Sequence, residues 1–239
     1  MKKFLVVFLF VLCFVFAVGK TYKVGTEATF PPFEYVENGE IVGFDVDLIK
    51  AIAESEGFEV EFVDMSFDSL IPALLTGNID IVIAAMTINE ERAEVVDFSD
   101  PYWTANQSVV VKGGSGKSLT VLFGNNSVGA QTGTTGDLWI EDELLNTGIL
   151  TGQVKRYESF VLAFTDLENE NVDALVLDAP VAERYAKDRN VDLVGLILTN
   201  EEYGIAINKA NKDLLNSVND GLETLEDNGK LLEIVGKYF

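Results

Sequence analysis

Histidine is absent from all 239 residues, and cysteine occurs once, as Cys13, inside an apolar run near the start. The two absences exclude most of the familiar catalytic machinery. Histidine-based triads, thiol nucleophiles in a processed chain, and imidazole or thiolate metal sites all lack their side chains, which leaves carboxylates, hydroxyls and lysines for chemistry. No Gly-x-Ser-x-Gly elbow or lysine dyad is present to use them. The acidic clusters Glu90-Glu91, Glu141-Asp142-Glu143 and Glu168-Asn169-Glu170 lack calcium-loop spacing and read as solvated helix faces. No catalytic residue, metal site or cofactor is expected.

Positive charge is also scarce, with 17 basic against 39 acidic residues and a net charge of -22. That balance argues against nucleic acid or anionic lipid as a partner and favours cationic solutes, besides keeping an exported protein soluble. Long apolar runs are confined to the start. Lys2 and Lys3 precede an apolar stretch from Phe4 to Val18, and Ala17-Val18-Gly19 offers small residues for cleavage, so residues 1–19 are expected to be a secretory signal peptide. The stretch is shorter than the roughly 20 residues of a membrane-spanning helix. Val11-Leu12 before Cys13 do not make a lipoprotein signal, and a secreted, periplasmic chain free of cysteine follows. About 220 residues then suffice for one large or two small cores without disulfides.

From Lys20 the chain alternates strand and helix patterns. TYKVGTE reads as a strand and YVENGEIVGF as a hairpin turning at Asn38-Gly39. Asp45 is placed to cap a helix ended by Gly57; EVEFVD is a strand; FDSLIPALLTG is a helix closed by Gly77. Ile79 to Met86 is almost wholly apolar, as a parallel strand buried on both faces would be. The alternation breaks between Tyr102 and Gly124, at the polar link Gly113-Gly114-Ser115-Gly116, and then restarts. SVGAQ, QVKRYE, VDALVLD and YGIAI are strands, and GDLWIEDELL, SFVLAFTDLENEN, PVAERYAKDR, NKDLLNSVNDGLETLEDNG and KLLEIVGKYF are helices. Two α/β units imply two lobes with a cleft, and in open α/β sheets ligands lie beyond the carboxyl ends of strands.

Four strand ends therefore matter: GTEATF, AAMTINEER, QTGTTG and VLDAP. Thr87 and Glu90 form a capping-box pattern that puts Arg92 in a helix's first turn, where the dipole disfavours a cation. Arg92 either pairs with Glu91 or Glu94 on the surface or holds a carboxylate with its planar fork. The loop Thr132 to Gly136 is either a capping turn or an anion site, and it lacks the lysine of a nucleotide phosphate loop. Asp178 either caps the next helix or faces the cleft. Phe30 and Phe67 are core or stacking residues. Glu27 is an acid set among aromatics and prolines without a folding reason.

These segments, in order, resemble the polar amino-acid-binding proteins of ABC importers. The resemblance is carried by Thr26-Glu27-Ala28-Thr29-Phe30-Pro31-Pro32-Phe33-Glu34, Gly43-Phe44-Asp45-Val46-Asp47-Leu48, Phe67 to Leu74, Met86 to Arg92, Phe98-Ser99-Asp100-Pro101-Tyr102, Gln131 to Gly136, Asp173-Ala174 with Asp178, and Tyr203 to Ala206. It implies an α/β, two-lobed periplasmic-binding-protein fold (type II), each lobe a sheet flanked by helices, joined by two hinge crossings near 102–106 and 199–203. Residues 20–103 with 204–239 would form lobe 1 and 104–203 lobe 2.

The family implies a free amino acid in the cleft and a membrane ABC permease as partner. By position, Arg92 resembles the α-carboxylate ligand, helped by the Thr87 hydroxyl and the backbone at Thr135. Asp178 resembles the α-ammonium partner, with the Ala85 carbonyl and the Thr87 hydroxyl. Phe30 and Phe67 resemble aromatic walls, Gln131 adds a polar contact, and Met86 and Thr134 complete the expected contacts. Glu27 occupies the position where binders of basic amino acids carry an acid, and the motif around it favours arginine over lysine, histidine, ornithine or glutamine. Ala84 and Ala85 stand where some lysine and histidine binders have serines, and Phe30 where tyrosine is common. An alternative, a cyclohexadienyl or prephenate dehydratase-like enzyme on the same fold, would use Arg92 for its substrate's carboxylate and Glu27 as a general acid.

Overall fold

The structure, a computed structural model, describes residues 19–239; the expected signal peptide and Cys13 lie outside the described residues, except for Gly19. The first half builds β1 (Thr21–Thr26), β2 (Thr29–Phe30), β3 (Glu34–Glu37) and β4 (Glu40–Val42). Asn38 and Gly39, at φ 52° and 87°, make the two-residue turn whose left-handed centre matches strand twist. Helix α1 (Phe44–Glu56) follows, closed by Gly57 at φ 72°. Then come β5 (Glu59–Asp64), α2 (Phe67–Leu75), β6 (Ile81–Val82), α3 (Glu90–Val95) and β7 (Val96–Phe98).

A ten-residue strand, β8 (Trp103–Lys112), opens the second half. It contains β9 (Val128–Gln131), α4 (Thr135–Trp139) continuing into a π-helical turn over Ile140–Leu145, β10 (Val154–Tyr157) and α5 (Phe160–Glu168). It is completed by β11 (Ala174–Asp178), α6 (Ala179–Asp188) and the long β12 (Val191–Tyr203). The chain ends with β13 (Ala206–Asn208), α7 (Lys212–Asp227) and α8 (Lys230–Tyr238).

Two five-stranded sheets result, in the orders β5-β1-β6-β13-β7 and β10-β9-β11-β8-β12, with a small sheet β2-β3-β4. The parallel pairs β1/β5, β1/β6, β9/β10 and β9/β11 reflect the helices between successive strands, which the parallel geometry requires. The chain leaves the first sheet between β7 and β8 and returns between β12 and β13. Strands β8 and β12 pair antiparallel, with register shifts between Leu193 and Gly195 and between Ile197 and Glu201. The fold is thus α/β with two lobes, each a sheet covered by helices.

The lobes are in contact. Phe30 of β2 meets Phe160 of α5 with ring centroids 5.5 Å apart, and the Tyr185 hydroxyl donates to the Thr29 carbonyl at 2.8 Å. One apolar cluster runs from Val24, Phe33 and Ile81 through Phe30 to Phe160, Leu175 and Leu177. Burying large aromatic and branched side chains at about 1.5–3 kcal/mol each is the main favourable term.

Local expectations fail in three places, each for a tertiary reason. Asp45 is not a cap: Gly43 holds that position at φ 138° without a side-chain bond, because a Cβ there would lie 2.0 Å from the Phe33 carbonyl oxygen. The Asp45 carboxylate is instead buried, accepting from the Ala85 N–H at 2.7 Å and the Tyr102 hydroxyl at 2.8 Å. The apolar run Ile79 to Met86 pairs as strand only over Ile81–Val82, since Ala85 at φ 45° turns the backbone out of the ladder. Helix α3 is capped by Asn89, whose side chain accepts the Arg92 N–H at 2.8 Å, so Thr87 is free of capping.

Candidate functional site

The carboxyl ends of β1, β6, β9 and β11 converge on a narrow cavity between the lobes. Glu27, Phe30, Phe67, Ala85, Thr87, Arg92, Gln131, Thr134, Thr135 and Asp178 all line it, together with Glu34 and Ala84. Met86 stands apart. Its side chain is 1% exposed within the cluster of Leu70, Leu74 and Val82, and its carbonyl accepts the Gly204 N–H at 3.0 Å, so the expectation of a Met86 contact is corrected: period-two alternation turns it into the core behind the wall.

Arg92 is buried and forms no ion pair among the described residues. Its guanidinium donates to the Thr87 carbonyl at 2.6 Å and, across the cleft, to the Gly133 carbonyl at 3.0 Å. It lies over the Phe67 ring at 5.3 Å, within cation–π range. Surface pairing with Glu91 or Glu94 is therefore not its role. Desolvation lowers its pKa to about 10, with Glu201 the first charge opposing that shift.

Asp178 begins α6 but makes no cap bond. Antiparallel pairing of β11 with β8 sets Asp178 opposite Gln107. One carboxylate oxygen accepts the Gln107 amide at 3.1 Å and the Tyr203 hydroxyl at 2.7 Å. Burial pushes its pKa up to about 7, helped by the charge of Glu201. Thr134 is the true cap of α4, accepting the Asp137 N–H at 3.2 Å and donating to the Gln131 carbonyl at 2.8 Å. Its neighbour Thr135 turns its hydroxyl to the cavity side, where it meets Glu201 at 2.5 Å.

Glu27 accepts the Thr29 hydroxyl on one oxygen at 2.6 Å, and its second oxygen is buried without a partner. Burial raises its pKa against the opposing Thr29 bond. Glu34 also has a buried, unpartnered oxygen, and burial followed by the charge of Asp45 raises its pKa well above the usual carboxylate range. Gln131, 1% exposed, donates to the Glu158 carbonyl at 2.9 Å.

Three buried acids thus line a cavity with one buried base. An unpaired buried charge is costly, and it is relieved either by a proton or by a partner of opposite sign. Sequence reasoning missed Glu34, Gln107, Tyr203 and Glu201 as contributors. Glu34 had a signal, an acid between Phe33 and Tyr35 two residues from a proline pair; Gln107, Tyr203 and Glu201 reach the site only through the pairing of β8 and β12.

The model of the bacterial extracellular solute-binding proteins, family 3, matches residues 22–239. A probable histidine-binding protein of Neisseria gonorrhoeae is 39% identical over 227 residues, spanning 92% of this chain and 84% of that one. The solved structure of an ancestral arginine-binding protein bound to arginine is similar at TM-score 0.85 and 47% identity, covering 92% and 98% of the two chains. The solved structure of an ancestral arginine-binding protein bound to glutamine is similar at TM-score 0.84 and 47% identity, covering 92% and 97% of the two chains. An ancestral amino acid-binding protein that is a precursor of cyclohexadienyl dehydratase is similar at TM-score 0.83 and 39% identity, covering 92% and 95%.

Proposed function

Since the chain belongs to the bacterial extracellular solute-binding proteins, family 3, we propose that it captures a free polar or basic L-amino acid, arginine above all, in the cleft between its lobes and hands it to a membrane ABC permease. The single observation carrying this reading is the charge inventory of the cavity: Arg92 on one wall against Asp178 and Glu27. In the site we propose, Arg92 pairs with the α-carboxylate, Asp178 with the α-ammonium, and Glu27 with the cation at the far end of the side chain, while Phe30, Phe67, Ala85 and Gln131 line the remainder.

Lobe 1 would comprise 20–103 with 204–239, and lobe 2 would comprise 104–203, so that the crossings bend when a ligand enters or leaves. Relatives described as binding histidine, arginine and glutamine support an amino acid as occupant. The family's extracellular description supports a periplasmic or secreted location. We propose no reaction. An acid-base role for Glu27 in a dehydratase would need its proton delivered to substrate, and an occupant cation beside it argues for an ionised counter-charge instead.

A thermal-shift screen of the purified chain against all the common amino acids tests this. A ligand at a hundred times its Kd stabilises the folded state by about 2.7 kcal/mol, a shift of several degrees for a protein of this size. Arginine is expected to give the largest shift, and no shift with any amino acid would overturn the reading.

A further inference from the structure

Glu201 lies on the return crossing, at the residue where pairing with β8 resumes after the register shift that follows Ile197 in β12. The segment is fixed: Asn200, at φ 50°, donates its N–H to the Asn106 side chain at 2.9 Å, and the Gln107 N–H donates to the Thr199 hydroxyl at 3.2 Å. Irregularities of this kind re-aim side chains. Here one oxygen of the Glu201 carboxylate receives the Thr87 hydroxyl at 2.7 Å and the Thr135 hydroxyl at 2.5 Å. Thr87 comes from the first lobe's β6 end, Thr135 from the start of α4, and their oxygens are 3.5 Å apart.

A carboxylate can only accept hydrogen bonds, and a hydroxyl has one hydrogen to give. With both hydrogens directed at Glu201, each threonine is left with lone pairs alone. Thr135 already uses one to accept the Gln107 amide at 3.3 Å, which fixes the direction of the chain from Gln107 through Thr135 to Glu201. The Thr87 oxygen, which lines the cavity, therefore meets an occupant as an acceptor.

We propose that Glu201 is a positioning residue that sets this polarity, so that the site favours an α-ammonium donor over an α-hydroxyl, whose neutral O–H makes the weaker bond, and over an α-keto group, which has no hydrogen to give. The proposal rests on the amino-acid-binding reading above and deepens it. A hydroxyl donor would assist a ligand carboxylate and be indifferent to what the α-carbon carries; a hydroxyl acceptor rewards the cation. Arg92 is then left with the backbone N–H groups as the partners of the carboxylate.

Calorimetric titration with L-arginine and with its α-hydroxy analogue, 2-hydroxy-5-guanidinopentanoate, tests this on the full mature chain. A hydrogen bond to a charged group is large enough that Glu201→Ala should reduce the amino-over-hydroxy preference by about tenfold or more. Glu201→Gln, whose amide oxygen can take both hydroxyl hydrogens, should keep that preference within about twofold, since the direction of the hydrogens and not the charge carries the effect. Equal weakening of both ligands in Glu201→Ala, or an unchanged ratio, would show a structural role at the crossing and overturn the proposal. If Glu201→Ala does not fold, Glu201→Asp, which withdraws the carboxylate by one methylene, takes its place with the same criterion. Should the unaltered chain bind neither arginine nor any other amino acid, the amino-acid reading itself falls, which is a different result from binding that ignores Glu201.

Discussion

Lowering the pH should loosen the ligand by protonating Asp178, and the size of the effect follows from its burial. With a pKa raised to about 7, the unliganded carboxylate is mostly ionised at pH 8 and only about one part in a hundred at pH 5. An α-ammonium needs the ionised form. Affinity should therefore fall roughly tenfold per pH unit below 7, or about a hundredfold between pH 8 and pH 5, equal to about 2.7 kcal/mol. At pH 6 binding should expel roughly 0.9 proton per ligand, because about ten parts in eleven of the free site carry one. L-Glutamine is the cleaner probe, since its neutral side chain leaves Glu27 without a new counter-charge; arginine should release more. Calorimetry in two buffers of different ionisation enthalpy counts the protons directly. Affinity that is the same at pH 5 and pH 8, with no proton released, would refute the assignment of Asp178 to the ammonium. Asp178→Asn should bind weakly and without this pH slope.

Arg92→Ala should weaken every amino acid by about thirty-fold to several thousand-fold, the range expected when one partner of a buried charge pair is removed; calorimetry that finds ordinary affinity would sink the carboxylate assignment. Glu27→Gln should weaken arginine strongly and glutamine little, because only the cation loses a counter-charge, and equal losses would make Glu27 structural. The unliganded protein should lose stability as pH rises from about 4 to about 6, by about 3 kcal/mol from Asp45. Its pKa, raised by burial to about 6, means the folded state holds a proton the unfolded state has released. Thermal melts of Asp45→Asn should lack that slope. Gly43→Ala should cost several kcal/mol or prevent folding, since its φ of 138° and the 2.0 Å approach to the Phe33 carbonyl leave no room for a methyl group; a melting temperature within a few degrees of the parent would contradict this.

Much of the site was legible because its residues stand where a strand pattern stops. Glu27, Arg92, Thr135 and Asp178 each follow a recognisable apolar run, and the rule that ligands sit beyond strand ends finds them without coordinates. What misled was local chemistry with two meanings. Asp45 at the start of α1 looks like any capping aspartate, and only the position of the Ala85 N–H and the Tyr102 hydroxyl decides that it supports the cavity wall from behind. Thr87 and Glu90 mimic a capping box, while the actual cap is Asn89. Met86 sits within the right motif but on the wrong side of the pleat.

Composition excluded imidazole chemistry, and periodicity determined an α/β chain in two units, because those properties depend on the residue inventory and on residues close together in sequence. The partners of the charges belong to the tertiary structure. Arg92 finds the Gly133 carbonyl, Asp178 finds Gln107 and Tyr203, and Thr87 finds Glu201 across 114 positions of chain. Those meetings depend on the register of β8 against β12 and on how the lobes close, and hydrogen-bond direction and carboxylate pKa are set only when such distant groups are buried together.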